Sequence, residues 1–214
     1  MFDDRVDAGK RLALSLVKFQ KEDCVLVAIP RGGVILAEVI ARELKFPLEL
    51  VLVRKIGHPY NREYAVCAVS KSGLRCTEEE KNRLDQNWLK KEVEREKQEI
   101  ERREKLYLRG RKDLSVKGKT VILVDDGVAT GLTYLMAIEE LRSKNPHKII
   151  AALPMMPAEF EEKLKGVVEE IVCLNIDKDY RGAVGAYYRN FPQVTDEEVI
   201  RAIALERSGE MSRI

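Results

Sequence analysis

The chain has 214 residues, 45% of them hydrophobic and 35% charged, a composition that fits one globular domain with a sizeable core and an appendage. Its 38 Lys and Arg against 36 Asp and Glu leave a net charge of +2, which argues against a nucleic-acid-binding face, and no apolar run is long enough to span a bilayer. Met1-Phe2-Asp3-Asp4-Arg5 carries no basic segment followed by an apolar stretch, and Cys24, Cys67, Cys76 and Cys173 lack metal-type spacing, so the expectation is a cytoplasmic protein with reduced thiols.

Val6, Leu12, Leu16 and Phe19 recur at helical spacing between charged residues, which predicts an amphipathic opening helix. Cys24 to Ile29 reads as a buried strand, Val34 to Leu44 as a helix and Leu48 to Val53 as a second strand. Such a unit crosses over right-handed and builds a parallel sheet. Tyr64 to Val69 and the residues around Leu74 suggest a short hairpin or an excursion, turned at Ser72-Gly73.

From Thr77 to about Lys112 the chain alternates Glu, Lys and Arg with few apolar residues, and Thr77 with Glu80 has the spacing of a capping box, so one long helix is expected. Leu89, Val93, Ile100 and Tyr107 form a narrow apolar stripe, but the companion positions Glu96 and Arg103 are charged. The segment 77–112 therefore reads as a solvated lid or insertion helix in preference to a dimer zipper. The alternation resumes with a strand at 120–125, a helix at 131–144, a strand at 148–153, a helix at 157–165 and a strand at 170–174. The expected fold is a single α/β domain over 1–214, an open parallel sheet of about five strands flanked by helices. A tail from 176 to 214 folds over one end of the sheet as a hood, with a helix from Thr195 onward.

The run Val121-Ile122-Leu123-Val124-Asp125-Asp126-Gly127-Val128-Ala129-Thr130-Gly131-Leu132-Thr133 carries the most chemistry. Its apolar part fits a strand covered on both faces, and the carboxyl end of such a strand is where open α/β sheets bind ligands. Gly127 and Gly131 allow sharp turns, and a helix opening near Leu132 aims free amides and its positive dipole end at an anion. Thr130 and Thr133 add hydroxyl donors. Ionised Asp125 and Asp126 accept hydrogen bonds only, so they suit ribose hydroxyls and a hydrated magnesium ion. The competing bland reading is a strand ending in an Asx turn and a capped helix. A nucleotide-hydrolase loop is excluded, because Gly118-Lys119-Thr120 precedes a strand and position 113 is Asp where that loop needs Gly.

The loop Pro30-Arg31-Gly32-Gly33 repeats the strand, tight loop, helix layout after the first strand. Arg31 can fork onto phosphate oxygens while the amides of Gly32 and Gly33 approach the same group, although a turn with a surface Arg is the alternative. Arg54 and Lys55 follow the second strand, either adding positive charge near a diphosphate or forming a solvated strand end. Arg109, Arg111 and Lys112 are candidates for a lid closing on it. His58 lies near the proposed site without a visible partner, and His147 reads as solvent-facing.

The run 121–133 resembles the 5-phosphoribosyl-1-diphosphate (PRPP) motif of type I phosphoribosyltransferases, in which an apolar strand leads into two acidic residues, a short loop and Thr-Gly-x-Thr. Arg31-Gly32-Gly33 with Ala41-Arg42-Glu43-Leu44 is similar to xanthine and guanine phosphoribosyltransferases. Over nearly its full length the chain looks most like a group of predicted bacterial and archaeal phosphoribosyltransferases. That likeness also rests on Val53-Arg54-Lys55-Ile56-Gly57 with Pro59 and Glu63, and on Ala183-Val184-Gly185-Ala186-Tyr187-Tyr188 with Phe191-Pro192-Gln193-Val194.

The resemblance implies a Rossmann-like core with a helical insertion, and transfer of the phosphoribosyl group from PRPP to a nitrogen acceptor such as a nucleobase. Arg31, Gly32, Gly33, Arg54 and Lys55 would then bind pyrophosphate. Gly127, Val128, Ala129, Thr130, Gly131 and Thr133 would bind the 5-phosphate, and Asp125 and Asp126 the ribose with its magnesium ion. Arg31 would stabilise the leaving group, and a homodimer is expected. Ala129 stands where 6-oxopurine enzymes carry an acidic residue, and Leu153-Pro154-Met155 where they carry a purine-reading Lys, so hypoxanthine, guanine and xanthine are not the expected acceptors. Tyr180, Tyr187 and Tyr188 either stack on a planar acceptor or pack the tail. A PRPP-sensing regulator of the same fold, acting through the long helix, is the alternative function.

Overall fold

A computed structural model describes residues 1–108 and 115–207. Helix α1 (Arg5–Leu16) is capped by Asp4, which accepts the Asp7 amide at 2.9 Å, and it buries Ala8, Leu12, Ala13 and Leu16. Then come β1 (Cys24–Ala28), α2 (Gly32–Leu44), β2 (Leu48–Leu50), β3 (Arg54–His58), β4 (Asn61–Val69) and β5 (Leu74–Cys76). Two further helices follow, α3 (Glu78–Lys81) and α4 (Gln86–Leu108). The second half comprises β6 (Thr120–Val124), α5 (Leu132–Arg142), β7 (Lys148–Pro157), α6 (Ala158–Leu164), β8 (Glu170–Asp177) and α7 (Asp196–Arg207).

The expected five-stranded sheet is present, parallel throughout, in the order β2-β1-β6-β7-β8. The central strands β1, β6 and β7 read as near-continuous apolar runs because both of their faces are covered, whereas the edge strand β8 is largely half-buried or exposed. Leu26, Ala28, Ile122 and Val124 face a core built with α1, α2 and α7, while Val25, Val27, Val121 and Leu123 face one built with α5 and α6. Each large side chain buried there stabilises the fold by roughly 1.5–3 kcal/mol. Strands β1 and β6 are direct neighbours, with Ala28 beside Val124, so the loops leaving their carboxyl ends lie side by side.

The second strand stops at Leu50, three residues short of the expected Val53, and Arg54 opens a separate antiparallel sheet, β3-β4-β5. The expected hairpin turn holds, with Val69 opposite Leu74, but the excursion carries a third strand. Cys67 and Cys76, directly opposite in that hairpin, form a disulfide, which corrects the reduced-thiol expectation for this pair. Cys24 and Cys173 are free, and burial pushes their thiols up to about 11 and about 12.

The single long helix expected from Thr77 is interrupted at 82–85. Thr77 caps the short α3 through the Glu80 amide. The chain then turns to bury Leu84 in the second sheet, and Asp85 starts a new helix by accepting the Trp88 amide at 2.7 Å. The apolar stripe of α4 lies against the same chain. Leu89 and Ile100 join Ile56, Val66 and Val69 of the second sheet, and Tyr107 joins the core under α7. A zipper would need that stripe free. Glu96 and Arg103, the charged companions, are themselves buried and hydrogen-bonded.

Candidate active site

The end of β6 and the start of α2 meet through glycines. A Cβ on Gly33 would lie 2.7 Å from the Val124 carbonyl oxygen and 2.9 Å from the Asp125 Cα, and one on Gly32 would lie 1.8 Å from Asp126 Oδ2. No side chain fits between these loops, so the two glycines are fixed by the approach of Asp125 and Asp126 themselves. Arg31 immediately precedes α2, and its guanidinium lies 3.6 Å from Asp196 Oδ1 at the start of α7.

The acidic pair is asymmetric. Asp125 Oδ1 accepts the Asp126 amide at 2.9 Å, whereas Asp126 Oδ2 accepts Arg5 Nε at 2.8 Å from α1. Arg5 also donates to the Pro192 carbonyl at 2.7 Å, and its guanidinium sits 3.7 Å from the centre of the Phe191 ring. Tyr188 Oη donates to the Asp126 carbonyl at 2.6 Å. Thus α1 grips the Asp126 carboxylate through Arg5, and the tail holds that guanidinium and the Asp126 backbone carbonyl. Burial pushes both carboxyls above their usual range. The Asp126 charge adds to the rise at Asp125, while Arg5 opposes it at Asp126.

Beyond the pair the backbone turns at Gly127 (φ 146°), where a Cβ would meet Val184 and Met155. Val128 is buried and donates its amide to the Met155 carbonyl at 3.3 Å, which leaves Ala129 and Thr130 exposed at the loop tip. Gly131 (φ 81°) delivers the chain into α5, and its missing Cβ makes room for the Phe160 ring. Thr133 stands half-buried in the first helical turn. This is a tight loop ahead of unsatisfied helix amides, the geometry that receives an anion. On its outer side a cleft of about 1430 Å³ runs past Ala129 and Thr130, bounded by Thr77, Phe160 and Tyr180.

Other predicted residues stand elsewhere. Arg54 lies in β3 and donates to Glu96 of α4 at 2.8 Å, and Lys55 follows it on the exposed side of that strand. The expected placement of this pair at the end of a core strand is corrected, because the chain leaves the parallel sheet four residues earlier. Tyr187 and Tyr188 are buried, with Tyr187 Oη donating to Asp177 at 2.7 Å, so neither ring offers an open face for stacking. Tyr180 borders the cleft and stacks on Tyr187 at 6.0 Å. His58 lies 4.0 Å from Glu80 in the second sheet region, and His147 is exposed. Arg109, Arg111 and Lys112 fall outside the described residues. Two residues that touch the site went unforeseen, Arg5 and Asp196. Each looked like an ordinary helix-start residue, and no local pattern marks a partner 121 residues distant in one case and 165 in the other. Among the described residues no group of three or more His, Cys, Asp or Glu could hold a metal ion, and no helix is long and apolar enough to cross a membrane.

Residues 3–189 match the model of the phosphoribosyl transferase domain, and the chain belongs to that family. A Mycobacterium tuberculosis protein provisionally named a phosphoribosyl transferase, found in strains H37Rv and CDC 1551, is 35% identical over 203 residues. That match covers 94% of this chain and 46% of the relative, so the chain spans about half the length of the curated relatives it matches. Among solved structures, TT1426 of Thermus thermophilus is similar at 38% identity with a TM-score of 0.78, covering 95% of this chain and 97% of the other.

Proposed function

We propose that the protein transfers the 5-phosphoribosyl group from PRPP to a nitrogen acceptor of the nucleobase class and releases pyrophosphate. The observation that carries this reading is the direct contact of the Gly32-Gly33 loop with Asp125 and Asp126, which sets that loop, with Arg31 immediately before it, against two carboxylates. In this reading the 127–131 loop with Thr133 takes the 5-phosphate through backbone amides and hydroxyls. Asp125 and Asp126 accept from the ribose hydroxyls, Asp126 being held in place by Arg5.

The acceptor nitrogen forms its bond to the anomeric carbon, the proton of an N–H acceptor passing to solvent, as the bond to the diphosphate oxygen breaks, and pyrophosphate leaves with that electron pair. Arg31 and the Gly32 and Gly33 amides meet the charge that gathers on it. Asp125 and Asp126 would hold a magnesium ion bound together with the substrate, which would supply charge neutralisation at the diphosphate. Arg54 is paired with Glu96 at 2.8 Å, so a part at the diphosphate would require it to leave that partner. The acceptor is assigned to the cleft beside Ala129, with Tyr180 as the one aromatic of the three that reaches it.

The test is pyrophosphate release from PRPP and magnesium across purine bases, pyrimidine bases and nicotinate-like acids, with Asp125→Asn/Asp126→Asn as control. Acceptor-dependent release that the double variant lowers by at least about a hundredfold is expected. PRPP binding without release for any acceptor would favour the sensor, and absence of PRPP binding would refute the reading.

A further inference from the structure

Asp196 joins three elements through one carboxylate. Its Oδ1 accepts Tyr107 Oη at 2.6 Å and lies 3.6 Å from Arg31 Nη1, and its Oδ2 accepts Arg102 Nη2 at 2.9 Å. Tyr107 and Arg102 belong to the last turns of α4, Arg31 to the loop after β1, and Asp196 to the first turn of α7.

The helix itself does not require this carboxylate. Thr195 and Glu198 cap α7 reciprocally, the Thr195 hydroxyl accepting the Glu198 amide at 3.2 Å and the Glu198 carboxylate accepting the Thr195 amide at 2.7 Å. The three contacts also differ in kind. Those to Tyr107 and Arg102 are hydrogen bonds that keep Asp196 in place, whereas 3.6 Å to Arg31 is an ion pair beyond hydrogen-bond length. Arg31 is therefore attracted but not locked. With 26% and 20% of the Arg31 and Asp196 side chains exposed, an anion from solvent can reach the guanidinium.

We propose that Asp196 is the internal counter-ion that Arg31 gives up when pyrophosphate binds, a positioning residue that sets how tightly the product pyrophosphate is held. This rests on the assignment of Arg31 under the proposed function. Phosphate oxygens offer the guanidinium a bidentate, multiply charged partner, which a single carboxylate beyond hydrogen-bond length cannot match. The exchange leaves Asp196 paired with Arg102 and Tyr107, so no carboxylate is stranded. Each pyrophosphate bound must displace Asp196, which weakens product binding and favours its release.

The experiment measures equilibrium binding of pyrophosphate with magnesium, and separately of ribose 5-phosphate, to the wild type, Asp196→Asn, Asp196→Ser and Arg31→Gln. Removing the competing charge is expected to tighten pyrophosphate roughly two- to fivefold, the scale of a partly exposed ion pair, in both Asp196 variants. Ribose 5-phosphate affinity stays unchanged, and Arg31→Gln loses pyrophosphate binding. Unchanged or weaker pyrophosphate binding in the Asp196 variants, with ribose 5-phosphate retained, would overturn the proposal. So would loss of both ligands in both variants, which marks a purely structural residue. Pyrophosphate affinity in Arg31→Gln equal to wild type would refute the assignment of Arg31 itself, and the proposal with it.

Discussion

The two loops at the end of the parallel sheet and the three-stranded sheet beside them are built by opposite means. Backbone fixes the first region: neighbouring strands, positive-φ glycines and glycines that admit no Cβ bring Gly32, Gly33, Asp125 and Asp126 together. Side-chain links between segments fix the second: the Cys67–Cys76 disulfide, the Arg54–Glu96 pair, and Ser70 donating to Glu140 of α5 at 2.6 Å. A site made by backbone leaves a contiguous trace in the sequence, while one made by pairing distant side chains does not.

The sharpest way to break this contrast is to add one carbon to the first region. Gly32→Ala must push the Asp126 carboxylate aside by more than an ångström and disturb its bond to Arg5. A roughly hundredfold fall in kcat/KM for PRPP is expected, the cost of misplacing a reacting group by that distance, with the fold retained. Steady-state turnover together with a thermal melt checks it. Unaltered turnover would mean that the loops are not held rigidly by their contact.

The disulfide tests the second region. Thiol titration of the denatured, unreduced protein should find two thiols per chain, those of Cys24 and Cys173, and four after reduction. Cys67→Ser/Cys76→Ser opens a cross-link between residues nine apart and should lower unfolding stability in denaturant titrations by about 2–3 kcal/mol. Four thiols without reductant would restore the original reading of these residues and leave the hairpin held by its backbone ladder and Glu140.

In the hairpin Val69 stands opposite Leu74, which sets Cys67 opposite Cys76; a turn placed at Ser72-Gly73 does not by itself fix that register, so the pairing was not legible from the hairpin signal. The strand, loop and helix order of the core was legible because its central strands β1, β6 and β7 are buried on both faces and read as near-continuous apolar runs. The extent of β2 was not, because Val51 and Val53 are as buried as strand residues while the chain is already leaving the sheet. The break in the charged segment was hidden because Leu84 is one apolar residue among charges, and only its burial in the second sheet shows why the helix stops. Arg5 and Asp196 were invisible because their partners lie on distant elements. The charge pattern of α4 reads as solvated, yet Glu96, Arg103 and Tyr107 turn inward.

The smallest expected effect separates the inward-facing charges of α4 from its solvated ones. Glu99 accepts from Arg102 Nε at 2.7 Å and from Arg103 Nε at 2.7 Å, and these bonds, chiefly that to Arg102, hold its carboxyl down to about 2 from an ordinary 4.5. A depressed folded-state pKa means that the stabilisation is complete above about pH 4.5 and is lost as pH falls through about 2. Glu99→Gln removes it at every pH, so the stability gap between wild type and variant should be constant above about pH 5 and close between 4.5 and 2. Since the pair is largely solvent-screened, the gap should be under about 1 kcal/mol. Chemical denaturation of both proteins from about pH 7 to about pH 2.5 measures it. A gap that persists undiminished at the acid end would show that Glu99 acts through shape or helix propensity and not through its charge.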